Sequence, residues 1–230
     1  MSKANTSSGS RRITTMQIAI IGAGNVGRAL ATSLTRAGHE VTVAAAHADH
    51  AREAATASGA TAAPTVTDAV AGSDLVVLAV PAGALDALAG EIGSQLAGKV
   101  VVDVSNRPTP NPDGPTTSIA EELQGKLPTA KVVKAFNTAF ASRMAQPQLG
   151  GIAPDGYVAS DDDGAKQSVL DVVGSLGFRP VDAGSLAAAR TLEGMAWLNI
   201  QRNMAGGSWQ DAWVLVGPET LPPTTADSRN

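Results

Sequence analysis

No cysteine occurs among the 230 residues. That excludes disulfides, thiolate zinc sites and a cysteine nucleophile. Aromatic residues are scarce at 3%, so the few present are worth locating, and charged residues make up only 17%. The net charge of −4 reflects 21 acidic against 17 basic residues with no Lys/Arg cluster, which argues against a nucleic-acid partner. No run approaches the ~20 consecutive apolar residues that a membrane span needs. What is present in quantity is apolar: 43% of the chain, enough for a full core and incompatible with whole-chain disorder. The balance points to a soluble, cytoplasmic α/β protein.

Residues 1–14 are polar and unpatterned and are expected to form a flexible arm; residues 218–230 hold three prolines and are expected to form a tail. Arg11-Arg12 ahead of an apolar run has the look of a twin-arginine export signal. The run is better explained as a buried strand entering a glycine loop, with no small-residue cleavage site before that loop.

Between the ends, near-continuous β-branched runs alternate with alanine-rich stretches. Strands are expected at Gln17–Ile21, Val41–Ala45, Asp74–Val80, Lys99–Val104 and Lys131–Phe136, with a weak one at Ala60–Ala63 and two more at Tyr157–Ala159 and Phe178–Asp182. Helices are expected at Val26–Ala37, Asp49–Ser58, Asp68–Ala71, Ala82–Leu96, Ser118–Gln124 and Asp163–Leu176. This alternation predicts a Rossmann-type, doubly wound and mainly parallel sheet over residues 15–183, followed by a small C-terminal helical segment over 184–217. Ser105–Thr117, with four prolines, is a loop after a strand end, where ligands of such sheets sit.

The sharpest motif is Gly22-Ala23-Gly24-Asn25-Val26-Gly27, placed directly after the first strand and opening the first helix. Gly22 permits a tight turn, Gly24 keeps side chains off a pyrophosphate, and Gly27 lets helix and strand pack closely. The free N–H groups at the helix start then face the phosphates. The second strand ends in Ala44-Ala45-Ala46-His47-Ala48-Asp49-His50, with no carboxylate at its tip to bond ribose hydroxyls. Ala45 and Ala46 offer no repulsion to a 2′-phosphate, and His47, His50 and Arg52 offer positive charge; NADP(H) is favoured over NAD(H) on this electrostatic ground. Asp49 reads as a helix cap.

The order and spacing of several segments add to this reading. The glycine loop, Gly38–Val43 (GHEVTV), Asp74–Pro81 (DLVVLAVP), Val101–Asn106 (VVDVSN), Val132–Thr138 (VVKAFNT), Ser175–Gly184 (SLGFRPVDAG) and a C-terminal helix with Trp197-Leu198-Asn199-Ile200 together resemble the NADPH-dependent reductases of the deazaflavin coenzyme F420, over roughly residues 16 to 217. The resemblance implies direct hydride transfer between NADP(H) and a deazaflavin lying over the nicotinamide. It also implies that Val80 and Pro81 flank the nicotinamide and that Asn137 and Thr138 line the deazaflavin side. The chain carries Ala45-Ala46-His47 where that family tends to have Ser-Arg-Arg, and Asn137-Thr138 where it tends to have His-Thr.

The residues themselves place a small-molecule redox substrate over the carboxyl edge of the sheet, near Val80–Gly83, Ser105–Arg107 and Phe136–Phe140. There Arg107 and Arg143 offer charge for an anionic tail. The apolar segment Leu186–Met204 is expected to be buried on all sides, between the main domain and a second subunit of a homodimer. Trp209 and Trp213 stand at helical spacing, and one tryptophan is a candidate to stack on the second ligand. No catalytic acid or base is assigned: His39 reads as a surface residue, and Asp161-Asp162-Asp163 reads as loop and helix cap rather than a metal site. Such an inventory suits transfer between two redox heterocycles, where the protein holds donor and acceptor together. Two other readings remain open at this level: an NADPH-dependent reductase of an imine or carbonyl compound, and a non-catalytic NADP(H)-binding regulator.

Overall fold

A computed structural model describes residues 14–107 and 117–217. All but the last residue of the expected arm, the proline-rich part of the expected loop, and the whole expected tail lie outside the described residues.

The apolar runs form strands β1 (Gln17–Ile21), β2 (Glu40–Ala44), β3 (Thr61–Ala62), β4 (Leu75–Leu78), β5 (Val100–Asp103), β6 (Lys131–Ala135), β7 (Asp155–Ala159) and β8 (Arg179–Gly184). They make one eight-stranded sheet in the order β3-β2-β1-β4-β5-β6-β7-β8. Every neighbouring pair is parallel except β6 with β7, so the sheet is mainly parallel as expected. The helices are α1 (Asn25–Arg36), α2 (Ala48–Ser58), α3 (Val66–Ala71), α4 (Leu85–Ile92), α5 (Ile119–Lys126), α6 (Ala141–Ala145), α7 (Asp163–Ser175) and α8 (Ala189–Met204). Short α6 carries too few residues for an apolar period and was not foreseen.

Helix starts follow local chemistry. Ser118 and Glu121 close a reciprocal capping box on α5, Thr65 caps α3, and Asp162 caps α7 by accepting from the Ala165 N–H at 2.7 Å. One core layer packs Leu30, Leu34, Val169 and Val173 against Ile18, Ile20, Val77 and Val133. The other packs Val70, Leu85, Ile92 and Leu123 against Ile21, Val76, Val101 and Val132. Helices therefore cover both faces. The strand order reverses direction between β1 and β4, so a crevice opens at their carboxyl ends.

Two expectations change. His39 is only 6% exposed: its Nδ1 accepts from the Met16 N–H at 3.3 Å and its Nε2 lies 3.0 Å from Ser175 Oγ, because the start of β2 runs beneath the end of α7. Burial holds its pKa below the ordinary value. Helix α8 packs on the rest of the chain through Ala189, Leu192, Ala196, Asn199 and Asn203 and leaves Leu198 and Met204 49% and 68% exposed. Trp209 and Trp213 do not share a helix. Residues 205–217 run irregularly past the start of β7, with Trp209 at φ 57° and Trp213 O accepting from the Asp155 N–H. Among the described residues no helix is long and apolar enough to cross a membrane, and no group of three His, Asp or Glu is placed to hold a metal ion.

Candidate functional site

The crevice between β1 and β4 is shaped by main chain. Gly22 turns the chain at φ 119°, and its N–H donates to Ala44 O at 2.8 Å. A Cβ at Gly22 would meet Ala79 O at 2.3 Å, and one at Gly27 would meet Gly22 O at 1.9 Å. Both positions are therefore closed to side chains by backbone contact. Gly24 differs: a Cβ there would meet nothing within 4 Å, so the loop is open at that point. Gly24 is also the N-cap of α1, no side chain caps the helix, and its first turn has no acidic residue. The leading N–H groups and the positive end of the helix dipole are left for an anion.

An open cleft of about 720 Å³ gathers Gly22, Ala23, Gly24 and Asn25 of this loop, Ala45, Ala46, His47 and His50 from the end of β2 and the start of α2, and Val80 and Pro81 after β4. Ten of the expected site residues thus meet in one place. Val26 turns to pack on the core and Gly27 is buried in the loop–helix contact. The cleft also includes Ala79, Arg28 and Glu53, which sequence reasoning missed. Arg28 Nε donates to Ala23 O at 2.9 Å and its Nη2 lies 3.0 Å from Glu53 Oε2. The only hint in the sequence was a basic residue directly after the third glycine. Asp49 is not the cap of α2; His47 occupies that position, and Asp49 in the first turn pairs with Arg52 Nη1 at 2.6 Å, outside the cleft lining. His47 and His50 meet edge to face at 5.3 Å.

Asn137 and Thr138 stand at the carboxyl end of β6 but are buried, at 4% and 5% exposure, and do not line that cleft. The Asn106 amide donates to Asn137 O, and the Asn137 amide donates to Asn106 Oδ1, both at 2.9 Å, which leaves Asn137 Oδ1 buried without a donor. The preceding Phe136 is held at φ 61°, a costly conformation for an aromatic residue, with its ring edge to face with Phe178. Of the two cations expected to meet an anionic tail, Arg143 is buried and bonded to Gln148 O and Gln210 Oε1, and Arg107 pairs with Glu122 at 2.7 Å.

Behind this edge lies a buried ionic cluster that no spacing in the sequence reveals. Lys134 is completely buried on β6; its Nζ donates to Asp103 Oδ2 at 2.7 Å, Ser105 O at 2.6 Å and Glu193 Oε1 at 3.1 Å. Glu193, on α8, also accepts from the Ile119 N–H at the start of α5. Burial pushes its carboxyl pKa up, against the pull of Lys134. Nearby, hydrogen bonding from Arg190 holds Glu121 down to about 2. The cluster ties β5, β6, α5 and α8 together and fixes the Ser105–Arg107 segment beside Asn137.

A doubly wound sheet with an uncapped glycine loop at its switch point places the chain in the class of Rossmann-type nucleotide-binding folds. Comparison narrows this. The coenzyme F420-dependent NADP oxidoreductase family matches residues 17–107. The solved structure of a protein from Arthrobacter sp. FB24, provisionally assigned as an F420-dependent NADP reductase, aligns with a TM-score of 0.77 at 31% identity, over 87% of this chain and 100% of that one. The chain belongs to this family of NADP-dependent oxidoreductases. It is 28% identical over 146 residues to the F420-dependent NADP reductase of Methanocaldococcus jannaschii, covering 60% of this chain and 65% of that protein. It is 33% identical over 178 residues to the metalloreductase STEAP3 of Rattus norvegicus, covering 77% of this chain. The chain spans only 36% of that longer relative's length.

Proposed function

We propose that this chain binds NADP(H) across the cleft and exchanges hydride with a planar acceptor of the deazaflavin class, coenzyme F420. The observation that carries the reading is the open, uncapped start of α1 at Gly24, flanked by residues of β2 and β4 at the sheet's switch point. In this reading the N–H groups after Gly24 hold the pyrophosphate, Ala45, Ala46, His47 and His50 surround the adenosine ribose, and Val80 and Pro81 support the nicotinamide. Bound NADPH supplies the hydride. The residues of the chain bind, orient and exclude water, which is the protein's share when two redox heterocycles react. Asn106, Asn137 and Thr138 serve as the rigid floor on the acceptor side. The exposed apolar residues Leu198, Met204, Leu215 and Val216 support a homodimer joined through the C-terminal segment.

The similarity to a metalloreductase supports a second reading, in which the final electron acceptor is a metal ion. Purified chain is mixed with NADPH and its near-ultraviolet absorbance followed with coenzyme F420, a ferric chelate, or a panel of imines and ketones. Oxidation with coenzyme F420 is the expected result. Oxidation with only the chelate, or only an imine or ketone, transfers the reading to that acceptor. Binding without oxidation in every arm leaves a nucleotide-binding regulator.

A further inference from the structure

We propose that Arg28 is the residue that selects the 2′-phosphate of NADP(H), with Glu53 as its internal competitor. The inference rests on the proposed nucleotide site and assigns its specificity. Three observations carry it. First, the end of β2 presents Ala45 and Ala46, whose side chains cannot bond a phosphate, the rings of His47 and His50 meet edge to face, and Arg52 is engaged by Asp49 away from the cleft lining. Second, Arg28 is the one Lys or Arg side chain among the described residues lining the cleft. Third, its guanidinium is aimed: Nε is anchored on Ala23 O at 2.9 Å and Nη2 reaches across to Glu53 on α2 at 3.0 Å. That direction runs from the glycine loop towards the β2 side, where the adenosine ribose lies in this fold, and away from Val80 and Pro81 at the nicotinamide side.

Glu53 occupies the place a phosphate would take. The pair is open to solvent, at 40% and 64% side-chain exposure, so it contributes little and a dianion can displace the carboxylate. A guanidinium can offer phosphate oxygens two N–H donors; here Glu53 holds Nη2, and Nε is on Ala23 O. Without a 2′-phosphate the ion pair stays closed, and Glu53 is the carboxylate within reach of the ribose hydroxyls. The same two residues thus favour NADPH by exchange of partners rather than by a dedicated pocket.

The test is the ratio of NADPH to NADH affinity, measured by calorimetry on the full chain and on two variants, Arg28→Leu and Glu53→Gln. Loss of a charge-assisted phosphate contact in R28L is expected to weaken NADPH about tenfold or more and NADH about twofold or less. E53Q keeps Arg28 on Ala23 O and removes the competitor, so the ratio is expected to rise by about threefold. Added salt should shrink the preference in the wild type and leave R28L flat. Equal weakening of both nucleotides in R28L means a pyrophosphate contact and overturns the assignment, as does a ratio that falls in E53Q. If R28L fails to fold, E53Q decides alone: an unchanged ratio overturns the proposal. Failure of the wild type to bind either nucleotide overturns the proposed function and this assignment with it.

Discussion

Two walls of the same crevice are built on opposite principles. The wall at β1 and β2 is made of backbone: glycines, alanines and an uncapped helix start, with its main ion pair exposed to solvent. The wall at β5 and β6 is made of interlocked side chains, with a largely buried amide pair and a completely buried lysine behind it. An open backbone wall suits a ligand that brings its own charge and must enter and leave. A cross-braced wall keeps its shape whether or not anything rests on it.

Breaking the brace should have the largest effect. Lys134→Met leaves Asp103 and Glu193 buried without their cation, and chemical unfolding should show a loss of about 3–5 kcal/mol. Neutralising both partners in D103N/K134M should recover part of that loss, which a simple packing defect would not allow. On the backbone wall, Gly27→Ala drives a Cβ into Gly22 O and should cost about 3 kcal/mol and abolish nucleotide binding. Gly24→Ala sharpens the contrast. Its Cβ meets no protein atom, so the melting temperature should hold while NADPH affinity falls about tenfold. A matching loss of stability in G24A would show that the loop is not open as described.

The smallest effects are in pH. Glu193 has a raised pKa in the fold, so its contribution to stability is full below the ordinary 4.5 and is lost as pH rises through the folded value. Glu121 has the opposite sign: its contribution is present above 4.5 and is lost as pH falls towards about 2. Urea titrations at stepped pH should therefore find E193Q less pH-sensitive on the alkaline side of 4.5 and E121Q less sensitive on the acid side. Parallel curves for the two variants would contradict the opposed shifts.

The glycine loop and the alternating elements were legible because each is local. A buried parallel strand declares itself within five residues, and a glycine turn within six. The residues the sequence concealed are those whose meaning lies in a distant partner. Lys134 reads as one charge in an apolar strand until Asp103 and Glu193 arrive from 31 and 59 residues away. His39 follows a glycine at a turn and looks exposed, yet its ring partner is Ser175, 136 residues on. Arg28 is an ordinary basic residue on a helix until Glu53 shows where its guanidinium points.

Local pattern alone therefore determined the kind of sheet and the loop able to receive an anion, since period, turn geometry and helix ends depend on near neighbours. Which charges are spent inside the protein and which remain available at the crevice was decided only by tertiary structure. A charge is defined by what lies within a few ångströms of it, and folding brings those groups together from anywhere along the chain.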